Sequence, residues 1–295
     1  MPISPHLLIC LPPLFWAGNA IAGRMAIGVM PPLQLAAWRW ALALVLLAPW
    51  VAARIWRDRQ RLAGQGWVLF GLSLCSVTFY NSFLYMALTA TTALNATLIT
   101  ASLPIGIMGL SRLWLKTPIG RAQAWGILVS TVGVVLVIAR GEPLALLALR
   151  FHSSDLWLLA AVASWSFYSV LLRRHPTGLD GMSLLGIQVA IGFVLILPLA
   201  GLEIFQIGVH WPHGTAAWGL IAYVAVFPSL LAYGLWNYGV AQLGPNLAGL
   251  YSNLIPVFTA FLGVVVLGEP LMWFHLVALA FILGGIWAAA RPRGL

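Results

Sequence analysis

Charge is what this sequence has least of. Only 7% of its 295 residues are Asp, Glu, Lys or Arg, and 62% belong to the hydrophobic set, whereas a water-soluble domain carries about 25% charged residues. No water-soluble packing hides that much apolar surface. Acidic groups are the rarest, six against fifteen Lys and Arg. The resulting net charge of +9 does not describe a nucleic-acid binder, because the basic residues are scattered among short connections and never gather on one face. Nucleic acid is excluded as a partner, and a lipid bilayer takes its place. Cysteine is nearly absent: Cys10 and Cys75 stand singly inside apolar stretches, which argues against a zinc site or a disulfide framework. His210 and His213 form a lone HxxH, too sparse for a metal. No acid/base pair, nucleophile with its base, or metal cluster is visible at membrane depth, so neither an enzyme nor a cofactor is implied. No Lys or Arg precedes Arg24, so the first apolar run lacks the basic start of a cleaved signal and is expected to stay.

Long apolar runs are what the sequence does have. Read against polar, Pro and Gly breaks they give ten spans: 6–29, 33–53, 66–88, 92–114, 120–139, 155–173, 181–203, 215–241, 246–267 and 270–290. Lipid admits only helices or closed barrels, because every backbone polar group must find a partner without water. Runs such as Ile127 to Ile138 do not alternate as barrel strands must. The expected class is an all-α integral membrane protein with ten transmembrane helices. Lys and Arg near helix ends resist translocation. With the N-terminus inside, inner segments hold Arg54, Arg57, Arg59, Arg61, Lys116, Arg121, Arg173, Arg174, Arg291 and Arg293, and outer ones only Arg140 and Arg150. Both termini are therefore expected in the cytoplasm, with the chain in the cell's inner (plasma) membrane.

The chain also repeats itself. At an offset of 152 residues, Ala96 matches Ala248, Pro104 matches Pro256, Pro118 matches Pro270 and Gly133 matches Gly285. Offsets of 149 and 151 pair Trp16 with Trp165, Arg24 with Arg173 and Trp67 with Trp218. Prolines and tryptophans carry the match, which composition alone does not supply. Two halves follow, 1–145 and 150–295, with five helices each. An odd number makes the second half enter the membrane from the opposite side, giving an inverted repeat suited to alternating access.

Proline inside a helix removes a bond to the carbonyl four residues earlier. Pro104 and Pro256 are thus expected helix breaks that free the carbonyls of Thr100 and Ser252 for a solute, although such prolines also serve simply to kink helices. Polar and aromatic side chains accompany them: Trp16 and Asn19 on the first helix; Tyr80, Asn81 and Tyr85 on the third; Asn95 and Ser102 on the fourth. The sixth carries Trp165 and Tyr168, the eighth Tyr233, Trp236 and Asn237, and the ninth Tyr251 and Asn253. Amides and phenols facing lipid are costly, so these fourteen residues form the candidate solute site, with interhelical hydrogen bonding as the competing explanation. Gly126, Ser130 and Gly133 on the fifth helix, with Ala278 and Gly285 on the tenth, read as close-packing scaffold. Asp155, Asp180, Glu203 and Glu269 sit at helix ends, which leaves no obvious proton relay at mid-depth. Arg39 lies about two turns into the second helix, with Gln188 as its repeat mate. Two readings stand for it: binding a carboxylate, or snorkelling to the outer interface.

These residues resemble the drug/metabolite transporter superfamily in its EamA-domain, ten-helix branch. The likeness covers essentially the whole chain. It is carried by FWAGNAIAGR (Phe15 to Arg24), by the ALTATTALNATLITASLPI stretch, and by its second copy LAGLYSNLIPVFTAFLGVVVLGEP ending at Pro270. The first copy departs from the family at Lys116 and Thr117, where an acidic residue is usual. Within the branch the chain is most similar to exporters of aromatic amino acids of the YddG type. The resemblance implies export, an inner-membrane location and a central cavity lined by the first, third, fourth, sixth, eighth and ninth helices. The expectation is a monomeric transporter that exports small organic solutes, aromatic or neutral amino acids first, by alternating access. Nucleosides, amines and drugs are the alternative cargo, and a non-transporting receptor or scaffold is the rival of another class.

Overall fold

The computed structural model describes residues 4–26, 30–88, 96, 99–142, 144, 146, 153–267 and 270–290. Among these residues every regular element is helical. Among the described residues nine helical segments are long and apolar enough to cross a bilayer, and Leu103–Trp114 is the described part of another helix. Span 1 is Pro5–Leu8 with Leu11–Ala26, span 2 Pro32–Ala63, and span 3 runs from Gly66–Ser73 through Leu74–Phe79 to Tyr80–Leu88. Span 4 is Leu103–Trp114, span 5 Arg121–Ile138, span 6 Asp155–Arg174 and span 7 Gly181–Ile207. Span 8 joins Gly214–Ala225, Val226–Leu231 and Ala232–Leu243; span 9 joins Pro245–Tyr251 and Leu254–Leu267; span 10 is Trp273–Ala290.

Each interruption has a local cause. Pro12 and Pro13 cannot donate to Leu8 and Ile9, so span 1 stops and restarts there. Spans 3 and 8 each contain one π-helical turn, Leu74–Phe79 and Val226–Leu231, the same 152 residues apart as the prolines. Such turns leave carbonyls unpaired. In span 8 Pro228 removes the donor to Val224, and the Ser229 hydroxyl takes that carbonyl at 2.6 Å. In span 3 the Asn81 amide donates to the carbonyls of Ser76 (3.0 Å) and Val77 (2.9 Å). The expected breaks at Pro104 and Pro256 appear as turns at 101–102 and 252–253. The carbonyl expected to be freed by Pro256 is not free, however. Ile255 N–H donates to Ser252 O at 3.0 Å, because the chain tightens to three-residue bonding across the break. Span 2 also outruns its expected end at residue 53. The following stretch carries good helix formers, and Arg54, Arg57 and Arg59 on its last turns suit the negative end of the helix dipole.

The principal packing pairs among the described residues recur when each span is exchanged for the one five places on. Span 5 packs on span 10 and span 2 on span 7; the contact of span 1 with span 9 is matched by that of span 6 with span 4, and that of span 3 with span 6 by that of span 8 with span 1. With five helices per repeat, the halves are inverted. Spans 5 and 10 approach through small residues: a Cβ on Gly126 would lie 2.5 Å from Gly285 O. Gly126→Leu should therefore cost about 1–3 kcal/mol through forced separation and lower the thermal midpoint in detergent. Gly109→Ala, which meets nothing within 4 Å, should leave it unchanged.

Spans 2 and 7 are tied at both ends. Span 2 starts without a side-chain cap of its own, and Glu203 of span 7 accepts from the backbone N–H of Leu33 (3.2 Å) and Gln34 (2.8 Å). At the other end Asp180 accepts from the N–H of Met182 and Ser183, both at 3.1 Å, and pairs with Arg54 at 3.6 Å. The Ser183 hydroxyl, its backbone N–H, that of Met182 and Arg54 together hold the Asp180 carboxyl below the usual carboxylate range. A lowered native pKa gives stability that is present above the unfolded value and lost as pH falls through the native one. The stability gap between wild type and Asp180→Ala should accordingly be open at neutral pH and close in acid, as read by thermal midpoints across that range.

Candidate functional site

Spans 1, 2, 3, 6 and 8 bring their aromatic residues to one place. Trp165 and Tyr168, like Tyr233 and Trp236, are three positions apart and so share a helix face. Trp165 is at the centre. Its ring lies 5.1 Å from Trp16, 4.6 Å from Tyr80, 5.0 Å from Tyr168, 5.2 Å from Tyr233 and 5.5 Å from Trp236. Trp16 and Trp236 are themselves 5.3 Å apart, and Trp40 reaches Tyr233 at 5.2 Å. Edge-on and tilted pairs dominate, as the ring quadrupole favours. Trp165 is 1% exposed and Trp236 0%, so these rings meet other rings and not water, while Trp16 and Tyr80 at the edge of the cluster are partly exposed.

Polar groups wrap this cluster as two matching pairs. The Tyr85 hydroxyl reaches Asn19 Oδ1 at 3.5 Å, and the Tyr168 hydroxyl bonds Asn237 Oδ1. Residue 237 is the repeat mate of 85, and 168 that of 19, so phenol and amide have exchanged helices while the bond persists. Asn81 and Tyr233, also mates, bond each other across the centre at 3.0 Å, and the Tyr233 hydroxyl passes its proton donation to Ser76 O at 2.8 Å. Asn237 Nδ2 donates to Gln188 Oε1 at 3.0 Å.

Arg39 does not snorkel to the interface. It is 1% exposed and points into the bundle. Its Nη1 donates to Asn81 Oδ1 (3.0 Å) and the Tyr85 hydroxyl (2.8 Å), its Nε to Ser229 Oγ (2.5 Å), and its Nη2 to Pro228 O (3.1 Å). The guanidinium carbon also lies 5.0 Å from the Trp40 ring. The Trp16 indole donates to the same Pro228 carbonyl at 3.2 Å. Every acceptor is neutral, and the carboxylate of Asp180 is paired elsewhere, with Arg54. The indole N–H groups of Trp40 and Trp165 are buried without a hydrogen-bond partner among the described residues. Among the described residues the centre thus carries the positive charge of Arg39 and surplus donors.

Other candidate residues lie elsewhere. The Tyr251 hydroxyl is 2.7 Å from His6 Nδ1 at the start of span 1. Asn253 donates to Ser130 Oγ on span 5 at 2.8 Å, which makes its amide a bundle contact. Ser102 donates to Ile99 O in its own chain segment at 2.6 Å. Asn95 and Glu269 fall outside the described residues. Sequence reasoning passed over Trp40, Pro228 and Ser229; a Pro-Ser pair inside an apolar run was the available signal. Among the described residues no three His, Cys, Asp or Glu side chains come together as a metal site would need.

Comparison with known proteins agrees with this architecture. The EamA-like transporter family model matches twice, over residues 3–139 and 152–291. An uncharacterized transporter of Archaeoglobus fulgidus is 28% identical over 296 residues, 98% of each chain. The uncharacterized transporter YyaM of Bacillus subtilis is 27% identical, covering 94% of this chain and 90% of that one. The uncharacterized inner membrane transporter YedA of Escherichia coli is 25% identical over 92% of this chain and 85% of that one. A solved crystal structure overlays with a TM-score of 0.78 at 22% identity, covering 97% of this chain and 96% of the other, which shows the fold. Two tandem family matches on an all-helical chain of repeated, inverted halves lead to one conclusion: the chain belongs to the EamA-like transporter family, multi-pass membrane transporters of the drug/metabolite superfamily.

Proposed function

We propose that this transporter carries aromatic or neutral amino acids out of the cell, and that the halves 1–145 and 150–295 move against each other to expose the centre alternately to either side. The observation that carries the reading is the Trp165-centred aromatic cluster, with its amide–phenol pairs, at the meeting point of spans 1, 3, 6 and 8. Aromatic faces offer a large apolar contact at little rotamer cost, and the amides fix orientation. Since Trp165 and Trp236 are closed in by other rings here, a solute reaches them by parting the cluster from its partly exposed edge at Trp16 and Tyr80. The π-helical turns of spans 3 and 8 are the positions at which those helices can bend, and the bolted pair of spans 2 and 7 and the Gly-faced pair of spans 5 and 10 supply rigid flanks.

Excess Arg and Lys on the segments assigned inside supports an inner-membrane location with both termini cytoplasmic. Counterflow in liposomes loaded with radiolabelled phenylalanine, leucine, a nucleoside or an amine tests the proposal. Exchange of phenylalanine and leucine in preference to the other two is the expected result; exchange confined to the nucleoside or the amine removes the amino-acid assignment. Solute-dependent protection with no movement of any solute would make the protein a receptor.

A further inference from the structure

We infer that the group this site recognises is a carboxylate, received by Arg39, and that an amino group on the solute is not required. The inference rests on reading the aromatic cluster as the solute site. Arg39 is buried, and its charge is compensated by no carboxylate among the described residues; Asp155, Asp180 and Glu203 stand at the ends of spans 6 and 7. Neutral oxygens satisfy its hydrogens but leave the charge unpaired in a low-dielectric centre, which is costly. An anionic ligand relieves that cost, whereas a cationic or neutral one does not.

The geometry also indicates where the carboxylate goes. Arg39 uses Nη1 on Asn81 and Tyr85, within spans 2 and 3. Its Nε and Nη2 face the π-helical turn of span 8, on Ser229 Oγ and Pro228 O. That edge presents two parallel N–H groups, the arrangement that takes a carboxylate bidentately. The two span 8 oxygens therefore hold the place of the two carboxylate oxygens. A charge-assisted pair is roughly twice as strong as a neutral bond, so the solute displaces them and breaks the polar link between Arg39 and the π-helical turn of span 8, while the Trp38–Trp218 and Trp40–Tyr233 contacts between the two spans stay in place. The same exchange releases the Trp16 N–H from Pro228 O, adding a donor beside the unpartnered Trp165 N–H. Binding thereby releases the turn of span 8 from Arg39. The repeat mate of Arg39 is the neutral Gln188, so only one side of the centre attracts the carboxylate, and the apolar body lies toward Trp165.

Among the described residues no hydrogen bond or ion pair joins a carboxylate to Arg39, and the groups gathered there are amide, hydroxyl and carbonyl oxygens beside ring faces, none of them a counter-charge for an ammonium. An arylalkyl acid lacking the amine should bind about as well as the amino acid. The experiment uses the full-length purified protein in nanodiscs and four ligands with one ring in common: phenylalanine, phenylpropionate, phenylalaninamide and phenethylamine. Dissociation constants come from thermal-shift titration. The expected result is comparable binding of the two carboxylates and binding of the amide and the amine weaker by roughly tenfold or more. Equal binding of phenylalaninamide and phenylalanine, or failure of phenylpropionate to bind, overturns the inference while leaving an aromatic solute in place. Binding of none of the four overturns both. Arg39→Lys retains the charge without the bidentate edge and should narrow the difference between phenylalanine and its amide; an unchanged difference places the carboxylate away from Arg39 and overturns the assignment.

Discussion

Trp165→Ala is expected to lower stability by about 3–5 kcal/mol, the usual cost of deleting a fully buried tryptophan, and to abolish solute flux. Trp165 touches five rings from four spans, so its removal leaves a hole that no single helix can refill. Each lost aromatic pair adds about 0.5–1.5 kcal/mol to the burial loss. Trp165→Phe separates the two effects. It keeps a ring in the cluster and removes the unpartnered indole N–H, so it should retain most of the stability while flux falls. Thermal unfolding in detergent and uptake in liposomes at matched protein levels measure both. A Trp165→Ala protein with an unshifted midpoint would contradict the packing described.

Asn81→Leu should have the next largest effect. Asn81 accepts from Arg39 and donates toward Tyr233, Ser76 and Val77. Bonds between membrane helices average about 0.6 kcal/mol, but a bond to a buried charge is worth about 1.5–3 kcal/mol. The loss at Arg39 therefore dominates, and a total near 3 kcal/mol follows from these two principles. Asn81→Asp is the informative companion. It supplies the buried guanidinium with a counter-charge, so it should fold at least as well as Asn81→Leu and yet compete with an anionic solute. Chemical-denaturant or thermal midpoints give the first comparison, and flux the second. If Asn81→Leu unfolds at the wild-type midpoint, Arg39 is not held through this amide.

How far the site was legible before folding differs from residue to residue. Trp16 and Trp165 stood out because they recur at a constant offset, and they do meet, at 5.1 Å. Asn253 stood out for an equally good reason, an amide at bilayer depth, and it serves Ser130. Both residues satisfy the rule that polar groups face inward, and the rule says nothing about which interior they face. Pro256 illustrates a similar gap: the break was readable, but the bond that Ile255 makes to Ser252 O depends on how tightly the chain winds there. Pro228 and Ser229 went unnoticed because the serine's task is to satisfy the Val224 carbonyl and Arg39 together, and only one of those partners is near in sequence.

Arg39 marks the boundary most clearly. From sequence, a lone arginine two turns into a helix reads as well for the interface as for the core, since its long stem reaches either way. Its burial is decided by the rotation of span 2 against spans 3 and 8, whose acceptors lie 42 to 190 residues away.

What the amino-acid sequence determined alone was the class of protein, the ten spans and the inverted halves, because a hydrocarbon solvent leaves a chain of this composition almost no other way to bury its backbone. Which polar faces meet, and that the positive charge of Arg39 ends up buried beside the ring cluster, was decided only by the tertiary structure. Helical periodicity says that side chains share a face, and packing between distant helices chooses what that face touches.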